Sequence, residues 1–125
     1  PGTRPAKINA TIKIEPDCLN LASKGELTAF ITLPKNYNVR DIDIDTVILE
    51  GARALKGTIS NRNGGTLIVK FERQDMVNVP VGNAVALYVR GKVIYNGMPV
   101  DFEGSDIIRV MNQGNSYGCN KEKDK

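Results

Sequence analysis

The sequence contains no histidine and no tryptophan, and only two cysteines. Without histidine it lacks the commonest general base and the commonest metal-binding side chain. That rules out Ser-His-Asp and Cys-His catalysis and His-bearing zinc sites. Cys18 and Cys119 stand about 100 residues apart, so they form neither a CxxC redox motif nor part of a four-cysteine cluster. No run of Lys/Arg alternates with aromatics, as a nucleic-acid surface would. No apolar run approaches the roughly 20 residues that a membrane-spanning helix needs. The net charge is +3, but the basic residues are dispersed, and three lysines lie among acids in the terminal "KEKDK". Such a segment reads as a solvated tail rather than a nucleic-acid patch. The opening "PGTRP" has neither Met nor a signal-peptide pattern, and the chain reads as a piece of a larger polypeptide.

What the sequence does contain is period-2 alternation, the signature of half-buried strands. "KINATIKI" places Ile8, Ala10, Ile12 and Ile14 on one face and polar residues on the other. "PDCLNLASKGE" reads as a loop. "LTAFITL" turns Leu27, Ala29, Ile31 and Leu33 inward and Phe30 outward. "TVILEG" and "ARALKGTIS" follow as shorter strands, the second with Gly57 as a candidate bulge. "TLIVKFE" directs Leu67, Val69 and Phe71 inward, and "RQDMVNVPVGN" has room for one helical turn. "AVALYVRGKVIY" is the longest strand, with Val85, Leu87 and Val89 inward and Gly91 a candidate bulge. Asn96-Gly97 is a strong hairpin signal, and "DIIRVM" supplies the last strand. Seven to eight short strands and at most one helical turn predict an all-β chain, an immunoglobulin-like β-sandwich. Residues 8–111 form the expected domain. Residues 1–7 read as a linker from the parent protein and 112–125 as a flexible C-terminal tail.

"VRDIDIDTVILEG" carries Asp41, Asp43 and Asp45 two apart. On one regular strand their carboxylates would share a face, neighbours roughly 6–7 Å apart, a set of oxygens suited to calcium. The apolar phase argues otherwise. Ile42 and Ile44 are even-numbered, whereas Val47 and Leu49 are odd, so the inward face slips near Asp45-Thr46. A slip requires a bulge or turn. The segment is therefore expected to be a turn leading into a strand that begins at Thr46, with Asp43 and Asp45 accepting backbone N–H bonds as in Asx-turns. The cation site is the alternative.

"IKIEPDCLNLASKGELTAFITLP", "DIDIDTVILEG", "TLIVKFERQDM" and "LYVRGKVIYNGMPVDFEGSDIIRV" together resemble a β-sandwich accessory module that recurs in archaeal and bacterial secreted and cell-surface proteins. The resemblance runs over about residues 8–111 and keeps the order of the motifs. It implies an extracellular or cell-envelope setting and no established catalytic activity. Members often carry an acidic, glycine-rich calcium loop before the "V-K-F" strand. Here that place holds "SNRNGGTLIV", without a carboxylate and with Arg62 added, which puts calcium at this loop in doubt.

Other candidates have a bland reading and a sharper one. In an immunoglobulin-like sandwich the first and last strands can run side by side in parallel, which would bring Cys18 and Cys119 to one end. A disulfide there would tie the tail to the body, and two free thiols are the alternative. Asn9-Ala10-Thr11 is an N-glycosylation triplet within a strand. Phe30, Tyr37 and Tyr95 are the candidate rings for a sugar-binding face, although scattered tyrosines usually serve as packing anchors. Asp101/Glu103 and Asp75/Glu72 are the carboxylate pairs a hydrolase would need, with nothing to mark them as buried. The expected function is a non-catalytic structural or interaction module of an extracellular or cell-envelope protein. The alternative is a carbohydrate-binding module, with or without calcium. Expected partners are other domains of the parent chain or a surface protein or glycan, with no nucleic acid and no membrane span.

Overall fold

The computed structural model describes residues 7–22, 24–60 and 65–112. Alternating burial becomes two sheets packed face to face. One sheet runs in the order β1 (Ile8–Asn9), β10 (Met98–Met111), β9 (Gly82–Tyr95), β5 (Ile42–Leu49), β6 (Ala52–Arg53), and β3 (Cys18–Asn20) also pairs with β10. The other sheet runs β2 (Thr11–Glu15), β4 (Glu26–Thr32), β8 (Thr66–Glu72), β7 (Lys56–Ser60). The inner faces supply the core: Ile12 and Ile14 from β2, Leu27, Ala29 and Ile31 from β4, and Leu67, Val69 and Phe71 from β8. They meet Val47 and Leu49 of β5, Leu87 and Val89 of β9, and Phe102 and Ile108 of β10. The chain is an all-β sandwich.

The described residues hold ten strands rather than seven to eight, because two expected strands each divide between the sheets and a further strand, β3, lies where a loop was expected. "KINATIKI" divides at Ala10. β1 lies parallel to β10 in the first sheet, and β2 lies antiparallel to β4 in the second. Gly104 makes the crossing possible. A Cβ at this position would collide with the carbonyl oxygen of Ala10 and come within 2.5 Å of Ile12 Cγ1. "ARALKGTIS" likewise divides into β6, paired with β5, and β7, paired with β8. Gly57 is not a bulge. It pairs in regular register with Val69, and its missing side chain admits Ile44 Cδ1. The expected loop after Pro16 contains β3, which pairs Cys18, Leu19 and Asn20 with Arg109, Val110 and Met111.

The slip in "RDIDIDTVIL" is real but lies inside a strand. β5 begins at Ile42, not Thr46, and follows a 3₁₀ turn at Val39–Asp41. Asp43 pairs with Lys92 and Ile48 with Arg90, so residues 44–47 stand opposite Gly91 alone. Asp43 Oδ1 accepts the Asp45 N–H at 3.2 Å, the expected Asx-turn. Thr46 Oγ1 donates to the Asp43 carbonyl at 2.7 Å and accepts the Lys92 N–H at 2.9 Å. These bonds replace the ladder bonds that the bulge removes. The bulge expected at Gly91 therefore sits on the neighbouring strand. Gly91 pairs regularly with Phe102, whose ring fills the space that a side chain would take. The described residues hold two 3₁₀ turns where at most one was expected: Arg73–Asp75 lies in the segment that had room for it, and Val39–Asp41 is additional. Asn96-Gly97 closes the β9–β10 hairpin with positive φ at both residues, 53° and 79°. No helix among the described residues is long and apolar enough to cross a membrane.

Two of the motifs meet in space. The Arg73 guanidinium donates to the Asn20 carbonyl at 3.3 Å and the Glu26 carbonyl at 3.4 Å, and the Arg73 N–H donates to the Gly25 carbonyl. Buried Asn20 caps the same turn, its Oδ1 accepting the Ala22 N–H. Arg73, the last residue of "VKFER", thus ties Asn20, Gly25 and Glu26 to the end of β8.

Candidate functional site

A cleft of about 580 Å³ opens where the β4–β5 connection crosses from one sheet to the other above the β9–β10 hairpin. That connection is built from local signals. The Tyr37 N–H donates to the Pro34 carbonyl, closing a turn. Asn38 then caps the 3₁₀ turn, its Oδ1 accepting the Arg40 N–H at 2.9 Å. Val39, 5% exposed, anchors the turn in the core. The opposite wall follows from the phase of β9. Val89 and Val93 face inward, and Tyr95 is the next residue on that phase, placed where the core ends. Half-buried Tyr37 and the 37% exposed Tyr95 meet with ring centroids 4.7 Å apart and planes tilted by 56°. Polar side chains rim the rings: Asn36, Asn38 and Asn96 with Lys35, Arg40 and Asp41.

The structure thus brings together Tyr37 and Tyr95, which are 58 positions apart in sequence. It leaves Phe30 elsewhere: Phe30 lies in the middle of β4, partly exposed, between Lys13 and Ile68 of the neighbouring strands. Of the three aspartates only Asp41 lines the cleft. Asp43 and Asp45 belong to the β5 bulge. Among the described residues no group of three or more His, Cys, Asp or Glu side chains converges on one point as metal ligands would. The loop that stands in place of the calcium loop, residues 61–64, lies outside the described residues, as does Cys119. Cys18 opens β3 beside Arg109, and no cysteine among the described residues is free. Asn9 is exposed on β1.

The carboxylates considered for hydrolysis have other partners. Asp101 pairs with Lys92 at 2.6 Å. Glu103 lies between Lys7 at 2.9 Å and Arg90 at 2.7 Å. The hydrogen bond from Lys7 holds the Glu103 carboxyl below the usual glutamate range, aided by the charges of Lys7 and Arg90 and opposed by partial desolvation. These groups line a second, shallower groove of about 230 Å³ on the outer face of the first sheet. Glu72 caps the 3₁₀ turn after β8, accepting the Gln74 and Gly25 N–H groups. The asparagine rim of the main cleft is the part that strand periodicity could not reveal. Asn36 and Asn38 read only as turn residues, and the hairpin that presents Asn96 reads as a connection. Compared with known proteins, the chain matches no protein-family model, no curated protein and no solved structure.

Proposed function

We propose that this domain is a non-catalytic interaction module of an extracellular or cell-envelope protein, and that the Tyr37–Tyr95 cleft is its recognition site, with a carbohydrate as ligand. The observation that carries this reading is the tyrosine pair itself. One ring is braced by the core and the other is exposed at the mouth of a cleft rimmed by three asparagines. A sugar is amphipathic. Its C–H faces suit a tyrosine ring, and its hydroxyls suit amides, which offer donors and acceptors from one side chain. A cleft of about 580 Å³ also falls within the usual size of small-ligand sites. The non-catalytic part of the reading draws support from the sequence, which has no histidine, and from the ion pairs that occupy Asp101 and Glu103. The cell-surface setting rests on the motif resemblance. A Cys18–Cys119 disulfide and a glycan on Asn9 belong to that same reading. Further partners would be other domains of the parent chain or a surface protein.

The test is thermal unfolding against a panel of neutral and acidic oligosaccharides, since a ligand that binds only the folded state raises the midpoint. The expected result is a rise with one class of glycan that disappears in Tyr95→Ala, a variant whose unliganded midpoint stays close to that of the parent. If no glycan moves the midpoint, the cleft is only the packed end of a scaffold domain.

A further inference from the structure

The N-terminal segment does more than contribute one strand. From Ile8 to Leu21 it runs alongside β10 from Phe102 to Met111, in the same direction. Ile8 and Asn9 pair with Phe102 and Glu103, and the Ala10 N–H donates to the Glu103 carbonyl at 2.9 Å. The Ile14 N–H donates to Asp106 Oδ2 at 2.8 Å, although β2 belongs to the other sheet. The Arg109 N–H donates to the Asp17 carbonyl at 3.1 Å. Cys18–Asn20 then pair with Arg109–Met111, and the Leu21 N–H donates to the Met111 carbonyl at 2.8 Å. Lys7 adds its ion pair with Glu103 at the start of the row.

We infer that the domain is a load-bearing link, in which this row of bonds is a mechanical clamp. Residue 8 sits beside residue 102, and β10 continues to residue 111, nine positions further on. At about 3.3 Å per residue, the chain enters and leaves the clamp roughly 30 Å apart along the strand axis. Where the polypeptide is held on both sides of this domain and Cys18 and Cys119 are reduced, so that no bridge bypasses β10, tension draws the N-terminal segment and β10 in opposite directions along their common axis. Every rung is then sheared together, and no rung can fail without the others taking its load. Had the two segments run antiparallel, both points of attachment would lie at one end and the bonds would open singly. The detour of residues 10–17 into the second sheet widens the clamp, because shear on β10 also loads β2 through Asp106. This inference is independent of the cleft and stands whether or not a glycan binds there.

The test is single-molecule force spectroscopy on the whole chain with Cys18 and Cys119 replaced by Ser, so that no covalent bridge shares the load. In one geometry the handles are joined to the two termini. In the other, the C-terminal handle is moved to a cysteine introduced as Met98→Cys, an exposed position four residues before Phe102, the partner of Ile8. Both proteins are first shown to have the same thermal midpoint. Forced rupture reports the unfolding barrier along the pulling direction, and the terminal geometry is expected to need at least about twice the force of the other. Equal or lower force between the termini would overturn the clamp. A second comparison uses the unmodified chain under reducing agent. Asp106→Leu removes a rung, whereas Val69→Ala removes core volume from the second sheet. Asp106→Leu is expected to lower the terminal rupture force by the larger factor, and the reverse order would also overturn the inference.

Discussion

The crossing of the first strand makes Gly104→Ala the most informative single substitution. Gly104 does not have the positive φ that would favour glycine on backbone grounds, so the cost is steric. The added methyl would meet the Ala10 carbonyl group and Ile12 Cγ1. The first of these is backbone, and it adjoins the Ala10 N–H bond to the Glu103 carbonyl. A side chain could rotate away, but here the strand itself must move. Overpacking of this kind costs about 1–3 kcal/mol, and the upper end applies where backbone must shift. Loss of the adjoining hydrogen bond adds about 1 kcal/mol. Reduced freedom of the unfolded chain returns about 0.4–1 kcal/mol. The net expectation is about 3 kcal/mol of destabilisation. For a domain of this length that corresponds to roughly 9–15 °C in melting temperature. Gly97→Ala is the contrast, since Gly97 has a φ of 79° and open space around it. It should cost only about 1–2 kcal/mol, through backbone strain alone. Urea denaturation of the three proteins, with a common m-value, measures both differences. A Gly104→Ala protein as stable as Gly97→Ala would refute the steric account of the sheet crossing.

Two further expectations concern charge. Glu103 has its folded pKa depressed by Lys7 and Arg90, so its contribution to stability is present above the unfolded value of about 4.3 and is lost as pH falls through the folded value. The gap in thermal midpoint between the parent and Glu103→Gln should therefore be constant from neutral pH to about pH 5 and shrink below about 4.3, and a gap that widens on acidification would contradict the ion-pair assignment. Asp43→Asn keeps the side-chain oxygen that accepts the Asp45 N–H. Its midpoint should match the parent in EDTA and in millimolar Ca²⁺, whereas a calcium-dependent rise in the parent that is absent from Asp43→Asn would make the aspartates a cation site.

Much of the core was legible because alternation reports which side chains face inward. The inward phases of Ile12/Ile14, Leu27/Ala29/Ile31, Leu67/Val69/Phe71 and Val85/Leu87/Val89 follow directly from apolar spacing. Alternation does not report which sheet a strand joins. Ile8, Ala10, Ile12 and Ile14 keep one unbroken phase through the crossing at Ala10, so a strand shared by two sheets looks like one strand. β3 was hidden for a different reason: Leu19 and Asn20 are both buried, leaving no alternation to read. The phase slip in β5 demanded a bulge or a turn; the turn before Thr46 was the wrong choice, because the strand runs from Ile42 through a bulge. Its partner strand could not be known, so Gly91 attracted an assignment that belonged opposite it. For the cleft, Tyr37 and Tyr95 stood out as turn tyrosines. Their meeting depends on the 3₁₀ turn that Val39 pins over the hairpin end, a tertiary fact without a local signature. Phe30 was chosen on strand phase alone, and strand phase says only that it faces away from the core.

The pairing of Ile8 with Phe102 also sets a timetable. The two residues are 94 positions apart, and a ribosome makes the first of them long before the second. Until residue 103 has emerged, β1 has no partner in its own sheet, and until residue 111 has emerged, β3 has none. Such non-local closure slows folding, and an unpaired edge remains open to other chains in the meantime. The first sheet is therefore completed only when nearly the whole domain is available at once.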